Sequence, residues 1–512
     1  MREFSVPGVY VERGGYSESP LRLDGSCLAG FVGIAERGPL HAPVFVKSFD
    51  EYRGVFGGFT SAGVLPFSVY AFFQCGGRVC AVVRAANEKY ARPASLRAEC
   101  SGGGELVFEA SSCGSWGNYI SARLWNEKDL GGGESFSLIL ACGRKIETFL
   151  HLSLRPASTR YFESYINERS TLCRVRQEGA GGLPKPAFRL AAAGGRDGLA
   201  EMSSGDFTGS YTGPGQYRGL GAFEGLEDVS LIAAPDAHWF LETGSSSREE
   251  NEEAFFRVQA ALVTQAERFS GRFAVLDMPG GRDVSAALAW ARRFDSAYAA
   301  LYYPAIDLID PLDPSGVKTL AVPPSGAVCG CIARTDAERG IFCAPANILL
   351  QGAAGASARP TEAEYELLYA RGVNLLKYFP GAGIKIWGAR TLSSSAEWKY
   401  INVRRAFSRI SSVLKKGTLW AVFEPNTREL RKRVVRQVSG FLLDLWMKGF
   451  LAGASPEEAF YVRCDEELNP PEKSGAGFLT FEAGVAISRP LEFFKVCITA
   501  EKDGGGVYIT EE

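Results

Sequence analysis

The sequence is poor in histidine, and this scarcity restricts the chemistry that the chain can carry. Only three histidines occur among the 512 residues, at His41, His151 and His238. Histidine is the most frequent general base near neutral pH and a common zinc ligand. The scarcity therefore excludes a histidine-rich metal site and leaves few candidates for a catalytic centre.

Signals for nucleotide binding and for membranes are also missing. The chain has no Gly-Lys dipeptide, so a Walker A loop is excluded, and G-x-G-x-x-G is absent. The longest nearly uncharged apolar runs reach about 14 residues, whereas a spanning helix needs about 20. The N-terminus, MREFSVPGVYVE, lacks the apolar core of a signal peptide. We expect a soluble protein made in the cytoplasm, with no cofactor and no membrane insertion.

Charge and cysteine usage exclude two further classes. Lys and Arg total 56 against 58 Asp and Glu, a formal net charge of −2, which argues against a surface built throughout for nucleic acid. The 12 cysteines are scattered and form no C-x-x-C motif. We interpret them as buried, reduced thiols.

What is present is the composition of a globular protein, with 46% hydrophobic residues and 59 glycines. Between about 87 and 195, glycine runs separate short alternating segments, which predicts a β-rich region. From about 219 to 333, buried strands such as Val229–Ala233 alternate with helices such as 249–269 and 284–294. This order predicts right-handed parallel crossovers. The fold class is therefore mixed α/β (α+β) with several domains.

Each end of the chain carries an isolated strand pattern. One lies in residues 4–12 and the other in residues 492–500, and each is joined to the body through a linker. A short strand cannot bury itself, so both must pair with a sheet, either in their own chain or in a neighbouring copy. The residues from Asp503 to Glu512 read as a mobile tail. The candidate pairing residues are Val6, Val9, Tyr10, Val11, Phe493, Phe494, Val496 and Ile498.

The last third contains a strong amphipathic helix. Thr418–Glu424 (TLWAVFE) is predicted as a strand, and Asn426-x-x-Glu429 then has the spacing of a capping box, with Asn in place of the usual Ser or Thr. The helix is predicted over about 427–448. Its apolar stripe is Leu430, Val434, Val438, Phe441, Leu442 and Leu445.

Basic residues are concentrated around this helix. Between residues 404 and 436 there are ten Lys or Arg and only two acids, Glu424 and Glu429. Arg428, Lys432 and Arg436 are spaced by four and lie opposite the apolar stripe. They form either a solvated face or a docking surface for an acidic partner. Nucleic acid is the less favoured partner, because no aromatic interleaving accompanies the row.

Two other constellations could carry chemistry. His238, near Asp236, follows a buried strand and could serve an α/β hydrolase, although no G-x-S-x-G elbow accompanies it. Asp307, Asp310 and Asp313 could suggest a metal site, but prolines interrupt the run and the spacing is not that of an EF-hand. We favour a loop in both cases, with no catalytic residue and no metal.

A series of motifs in fixed order resembles the sheath proteins of contractile phage tails, R-type pyocins and related contractile injection systems. The first block holds PGVYVE at 7–12, GFVGIAERGP at 30–39, FGG at 56–58 and FFQCGGRVCAVVR at 72–84. The second holds YYPAI at 302–306, VPPSG at 322–326, ARTDAERG at 333–340, APAN at 344–347, WGARTL at 387–392, WKYINVRR at 398–405, FEPN at 423–426 and CDEELNP at 464–470. Each motif is weak alone, and their order makes the resemblance specific.

The resemblance implies a structural subunit and no enzyme. Its partners would be further copies of itself in stacked rings, an inner tube protein, and baseplate and terminator or cap proteins, but no nucleic acid. The terminal arms would be exchanged between subunits, and Arg428, Lys432 and Arg436 would face tube carboxylates. After synthesis in the bacterial cytoplasm the subunit would join a virion tail or injection system. Alternatives are the hydrolase using His238 and a sheath-like baseplate or cap component that does not contract.

The resemblance also suggests a division of the chain. A core would combine N- and C-terminal segments, with a β-rich domain and a subtilisin-like αβ domain inserted between them. The predicted segments are an arm and linker at 1–25, the N-terminal core segment at 26–86, the β-rich insertion at 87–200, the αβ middle domain at 201–334, the C-terminal core segment at 335–490, and the C-terminal arm and tail at 491–512.

Overall fold

A computed structural model describes most of the chain. The described residues are 21, 27–128, 134–209, 213, 217–243, 247–269, 271–280, 283–475, 478–490, 492, 496–500 and 507–511. They fold into two compact units. One is Ser26–Arg404, and the other takes in Arg405–Glu512 together with Leu21.

Strands and helices are numbered in chain order. The strands are β1 (Leu28–Gly33), β2 (Pro43–Val46), β3 (Cys80–Arg84), β4 (Ser95–Glu99), β5 (Glu105–Ala110), β6 (Ile120–Lys128), β7 (Glu134–Cys142), β8 (Lys145–Ser153), β9 (Cys173–Glu178), β10 (Ala187–Ala191), β11 (Val229–Ala233), β12 (Phe273–Asp277), β13 (Ala299–Tyr303), β14 (Ile306–Ile309), β15 (Thr319–Val322), β16 (Ile348–Leu349), β17 (Ala353–Ala356), β18 (Val373–Phe379), β19 (Gly383–Trp387), β20 (Phe460–Arg463), β21 (Glu482–Val485), β22 (Val496–Ala500) and β23 (Val507–Glu511). The helices are α1 (Phe49–Phe56), α2 (Leu65–Gln74), α3 (Phe162–Arg169), α4 (Ser204–Thr208), α5 (Trp239–Thr243), α6 (Arg248–Arg268), α7 (Val284–Ala291), α8 (Ser325–Glu338), α9 (Glu362–Ala370), α10 (Ile401–Gly417), α11 (Arg428–Met447), α12 (Pro456–Ala459) and α13 (Pro471–Gly475).

The first unit is built on a nine-stranded sheet. Its strand order is β16-β19-β18-β13-β12-β11-β1-β3-β2. The six strands from β18 to β3 pair in parallel, and antiparallel strands complete both edges. Because α6 connects β11 to β12 and α7 connects β12 to β13, the predicted parallel crossovers are confirmed.

Helices cover both faces of this sheet, because its strands are apolar on both sides. Neighbouring residues along a strand enter different cores. Phe31 and Leu231 belong to one hydrophobic cluster, and Val32 and Ile232 belong to another. The continuous apolar run CLAGFVGIA therefore suits a strand that is buried on both faces.

Helices α2 and α8 approach each other closely at glycine. A side chain at Gly326 would meet the backbone of Ser68. One at Gly330 would meet the carbonyl oxygen of Phe72 and lie 2.9 Å from Cβ of Cys75. Sequence periodicity does not predict α8, because SGAVCGCIARTDAE is nearly all buried and shows no amphipathic period. Its glycines permit helix contact here.

Two buried aspartates of the sheet cap these same helices. Asp236, which follows β11, accepts hydrogen bonds from the backbone N–H groups of Ile34 (2.5 Å), Val64 and Leu65 at the start of α2. Asp277, at the end of β12, accepts from the backbone N–H of Ser325 at 2.9 Å. Each carboxylate supplies a cap from a distant part of the chain.

The region predicted to be β-rich contains a hydrophobic cluster of its own. It contains the sheets β4-β5-β9 and β10-β6-β7-β8 together with α3. The chain enters and leaves it side by side, because Arg92 and Arg196 exchange two backbone hydrogen bonds at 3.0 and 2.9 Å. The buried Arg84, at the end of β3, links the insertion to the loop after β1. Its guanidinium donates to the carbonyl oxygen of Cys113 in the insertion at 2.8 Å and to that of Gly38 in the loop at 3.1 Å.

The nine-stranded sheet takes its strands from three of the segments predicted from the sequence. β1 to β3 come from 26–86, β11 to β13 from 201–334, and β16, β18 and β19 from 335–490. Residues 405–490 lie in the other compact unit. A parallel sheet pairs strands across long crossovers, so its membership does not follow the order of segments along the chain.

Three details of the predicted C-terminal structure are wrong. Thr418–Glu424 forms a turn with a 3₁₀ helix at Leu419–Ala421 and is not a strand. The N-cap of α11 is Thr427, whereas Asn426 donates to the carbonyl oxygen of Phe478 at 2.8 Å. The predicted tail contains β23, which pairs antiparallel with β22.

The predicted arm residues fall at the edges of what the structure describes. Val6, Val9, Tyr10, Val11, Phe493 and Phe494 lie outside the described residues. Val496 and Ile498 lie in β22, where their register partners are Glu511 and Ile509 of β23. Pairing of the arms between subunits stays a prediction.

Candidate docking surface on the C-terminal helix

Helix α11 forms because its sequence provides both a cap and an apolar face. The Thr427 side chain accepts a hydrogen bond from the backbone N–H of Leu430 at 3.2 Å. The helix ends before Gly449, which adopts a left-handed φ of 77°. The predicted apolar stripe is confirmed, since its members are buried: Leu430, Val434, Val438, Phe441, Leu442 and Leu445.

The predicted basic row lies on the exposed side of α11. Arg428, Lys432 and Arg436 are all exposed. Within the part of the chain that the structure describes, none of them forms a hydrogen bond or an ion pair. Three cations at this spacing repel one another weakly, by a few tenths of a kcal/mol per pair. An acidic partner would remove this repulsion.

Two neighbouring cations on α11, Arg431 and Arg433, contact other side chains of the same subunit. Arg431 donates to Oδ1 of Asn426 at 2.8 Å and to the Ser474 hydroxyl at 3.0 Å. The guanidinium of Arg433 lies over the ring of Trp420, 4.4 Å from its centroid. Arg431 and Arg433 therefore differ from Arg428, Lys432 and Arg436, which face solvent and form no such contact among the described residues.

An acidic segment faces the basic row across a shallow groove. Its carboxylates, which follow β20, are engaged by Arg463, whose guanidinium contacts Asp465 at 3.0 Å and Glu467 at 2.8 Å. The N–H of Leu468 and the Arg463 charge hold the pKa of Asp465 below its ordinary value. The groove is lined by Arg428, Arg431, Lys432, Val435, Arg436, Arg463, Cys464, Asp465, Glu466 and Glu467.

Sequence reasoning missed this opposite wall. The run Asp465-Glu466-Glu467 directly after a strand was the available signal, but its position beside α11 depends on how β20 packs. Arg463 pairs with two of these acids, whereas the basic row on α11 forms an ion pair with none of them among the described residues. The arrangement is suited to electrostatic binding of an external acidic surface.

The hydrolase candidates have structural roles. Both ring nitrogens of His238 face backbone carbonyls, Nε2 that of Met278 at 2.9 Å and Nδ1 that of Pro235 at 3.3 Å. Burial lowers the pKa of His238 and raises that of Asp236 to about 7. Since the Asp236 carboxylate caps α2, it does not orient the imidazole, and the hydrolase alternative is not favoured.

The loop expected for the aspartate run is wrong at Asp307, which lies in β14, whereas Asp310 and Asp313 lie in the turn after that strand. Asp313 accepts hydrogen bonds from the Ser315 hydroxyl and from the N–H of Lys318, and such contacts lower its pKa to about 2. Among the residues that the structure describes, no group of three His, Cys, Asp or Glu is arranged to hold a metal ion. A search of the same residues finds no helix that could cross a membrane.

Comparison with known proteins gives consistent matches along the chain. The family model of the phage tail sheath protein central domain matches residues 253–392, and that of the phage tail sheath C-terminal domain matches residues 393–501. The groove beside α11 lies within the second match.

Individual relatives extend this similarity. A putative prophage major tail sheath protein of Pseudomonas aeruginosa (strain UCBPP-PA14) is 29% identical over 227 residues, which span 43% of this chain and 55% of that relative. The tail sheath protein of Burkholderia phage BcepMu is 23% identical over 498 residues, 92% of each chain. The contracted helical sheath of the anti-feeding prophage has a similar fold, with a TM-score of 0.59 and 21% identity over 98% of this chain and all of that one.

Proposed function

Because the chain belongs to the family of contractile tail sheath proteins, we propose that it is the repeating subunit of a sheath that polymerises around an inner tube and contracts to drive the tube through a target envelope. One observation carries this proposal. The alignment with the BcepMu tail sheath protein covers 92% of both chains, so the likeness includes the sheet unit, the insertion and the C-terminal unit.

A structural role requires contacts between copies of the chain more than it requires a reaction site. Further copies and a baseplate are the partners that this role implies, and a terminator or cap protein would close the far end. Energy stored at assembly needs no nucleotide, which agrees with the lack of a Walker A loop. The subunit would be made in the cytoplasm of the producing bacterium. The subtilisin-like character of residues 201–334 stays a prediction.

The inner tube is the partner proposed for the basic row. Arg428, Lys432 and Arg436 would face carboxylates on the tube. Exposed ion pairs contribute about 0–1 kcal/mol each. Contacts of this strength can hold an extended state when repeated in every subunit, yet each can break during contraction.

The terminal arms are the proposed links between subunits. Strands containing Val9 and Val11 at one end, and Val496 and Ile498 at the other, would pair with strands of neighbouring copies. Main-chain hydrogen bonds would supply the affinity. Such links would keep subunits joined while their compact units move.

Electron microscopy of the purified chain tests the function directly. Long hollow helical polymers are the expected result, and monomers under all assembly conditions would contradict it. Short rings that never elongate would favour a baseplate or cap component. Deleting residues 1–12 should abolish polymers while circular dichroism stays unchanged, and normal sheaths from this truncation would refute the arm model.

Charge reversal tests the tube contact. The triple variant Arg428→Glu, Lys432→Glu and Arg436→Glu should lose about 1–3 kcal/mol of tube affinity per subunit, more at low salt than at high salt. Co-sedimentation of tube with sheath measures the loss. The matched control reverses exposed cations of the first unit, Arg144→Glu and Arg189→Glu. Extended particles that assemble unchanged from the triple variant would refute the contact.

A further inference from the structure

Two cysteines lie where α2 and α8 pack against each other. Cys75 directly follows α2, Cys331 lies within α8, and both are fully buried and carry free thiols. A Cβ added at the neighbouring Gly330 would lie 2.9 Å from Cβ of Cys75, so the two backbones are close here. Sγ of Cys75 lies 3.7 Å from the carbonyl oxygen of Gln351, and Sγ of Cys331 lies 3.8 Å from that of Leu349. Both thiols therefore lie against the same short segment at the end of β16.

The two thiols also contact each other. The Cys331 thiol donates a hydrogen bond to the sulfur of Cys75. A disulfide can form only where two backbones approach closely and the side chains point toward each other. The close approach of α2 and α8 at Gly330 meets the first condition, and the hydrogen bond between the thiols meets the second.

Cys75 has the character of a nucleophile although it is buried. The hydrogen bond from Cys331 lowers the pKa of the Cys75 thiol, and the charge of Arg334 acts in the same direction. The same hydrogen bond raises the pKa of Cys331, which stays protonated. At Cys173 in the insertion, by contrast, burial raises the pKa of the thiol to about 12. Because the thiolate is the reactive form of cysteine, the pair consists of a nucleophile, Cys75, and a resolving thiol, Cys331.

The side chain of Arg334 lies over the thiol pair. Its guanidinium is 4.0 Å from Sγ of Cys331, and it donates to the carbonyl oxygen of Leu349 at 3.2 Å in an exposed hydrogen bond. Its aliphatic part lies across Gly76, where an added Cβ would be 2.9 Å from Cδ of Arg334. Side chains near the surface change rotamer rapidly. Movement of the half-buried Arg334 would therefore admit a small molecule such as a peroxide to the two thiols.

We propose that Cys75 and Cys331 form a redox-sensitive pair, which a peroxide converts into a disulfide that cross-links α2 and α8. The Cys75 thiolate attacks one peroxide oxygen, the O–O bond breaks, and a sulfenic acid forms while the other oxygen leaves as hydroxide. The Cys331 thiol then attacks the sulfenic sulfur, and its proton leaves with the sulfenic hydroxyl group as water. The two thiols lose two electrons, and the peroxide gains them. The inference concerns one subunit and does not depend on the proposed sheath function.

Peptide mapping of the purified full-length chain tests the pair. The reduced chain is treated with hydrogen peroxide under native conditions, the remaining thiols are alkylated in denaturant, and the tryptic peptides are identified by mass spectrometry. Trypsin releases Cys75 in the peptide 54–78 and Cys331 in the peptide 319–334. The second peptide also contains Cys329, which lies two positions away in α8 and therefore on another side of the helix. Cys329→Ala is the matched control.

Peroxide should join the two peptides in wild type and in Cys329→Ala, and a thiol reductant should separate them again. Cys331→Ala should give no joined peptides and should keep Cys75 as a sulfenic acid, which dimedone labels. Cys331→Ser should behave in the same way, so the test holds if melting curves show that the alanine variant is unfolded.

The rate of oxidation gives a second measurement. Cys75 should be oxidised about 10- to 100-fold faster than Cys173, because its larger thiolate fraction outweighs the lower nucleophilicity of a thiolate with a lower pKa. Equal rates at the two sites would overturn the proposal. So would joined peptides that form only in urea, or a bond that Cys329→Ala abolishes.

Discussion

Replacing Gly330 with alanine should destabilise the first unit, although alanine is the better helix former. Gly330 lies in the middle of α8, where α2 passes directly against it. An added Cβ would contact the carbonyl oxygen of Phe72 and lie 2.9 Å from Cβ of Cys75. The first obstacle is backbone, so no change of rotamer can remove the clash, and the two helices must separate.

The size of the effect follows from two opposing contributions. Inserting a methyl group into a packed core costs typically 1–3 kcal/mol, and the upper value, about 3 kcal/mol, suits a clash with backbone. Replacing glycine by alanine in a helix interior returns about 1 kcal/mol. We expect a net loss of about 2 kcal/mol in the free energy of unfolding.

Gly440 provides a matched control with the opposite expectation. It lies in the middle of α11, is exposed, and has nothing within 4 Å of the position that a Cβ would occupy. Gly440→Ala should therefore stabilise its unit by about 0.5–1 kcal/mol. Both substitutions change helix propensity equally, so the difference in stability between Gly330→Ala and Gly440→Ala measures the effect of the contact between α2 and α8.

Urea unfolding followed by intrinsic fluorescence measures both variants against wild type. The midpoint of the transition should fall for Gly330→Ala and stay level or rise for Gly440→Ala. If Gly330→Ala matched or exceeded wild type while Gly440→Ala behaved as expected, α2 and α8 would not be in backbone contact. The close packing described for the two helices would then be wrong.

Three further predictions concern the buried caps and the turn. Asp236→Asn should lower the free energy of unfolding by about 2–4 kcal/mol, because one carboxylate oxygen that accepts hydrogen bonds from backbone N–H groups is replaced by an NH₂ donor. Urea unfolding measures the loss. In the control, Asp50→Asn at an exposed position, the free energy of unfolding should change little. Burial raises the pKa of Asp277 to about 7, above about 3.9 in the unfolded chain, so the folded chain binds a proton between about pH 4 and 7 and the free energy of unfolding falls as pH rises through that window. Asp277→Asn should reduce this slope by about half in urea midpoints taken across that range, because buried Asp236 has the same raised pKa and contributes the rest, and an unchanged slope would contradict the assignment. Phe423→Gly should raise the stability of its unit by about 1 kcal/mol by relieving a positive φ, and a lower melting temperature would show that the phenylalanine supports the fold.

The success of sequence reasoning depended on periodicity. The six apolar positions of α11 form one stripe, and all six are buried, because a surface helix must turn one face to the core. Helix α8 offers no such signal, since it is covered on nearly every side and its glycines mark contact with α2. Composition alone cannot tell a glycine that breaks a helix from one that lets another helix approach.

The apolar run in the turn after α10 was misleading. Thr418–Glu424 (TLWAVFE) has the composition of a buried strand, yet pairing requires a partner that the sequence does not specify. For the docking surface, spacing placed Arg428, Lys432 and Arg436 on one face, and the structure finds all three exposed. The acidic run Asp465 to Glu467 is visible in the sequence, but its position beside α11 could not be predicted, because it depends on tertiary packing. Whether the row binds a tube stays a prediction.

The paired entrance and exit of the β-rich insertion make it a replaceable module. Arg92 and Arg196 exchange backbone hydrogen bonds, so the two ends of the insertion are held next to each other where they join the rest of the chain. The insertion also has its own hydrophobic core, and the cost of closing a loop grows only slowly with its length. A different small domain could take its place, provided that it also offers a carbonyl oxygen to the buried Arg84 guanidinium, which now donates to Cys113 of the insertion. In a polymer of many copies, that site would display the grafted module once per subunit.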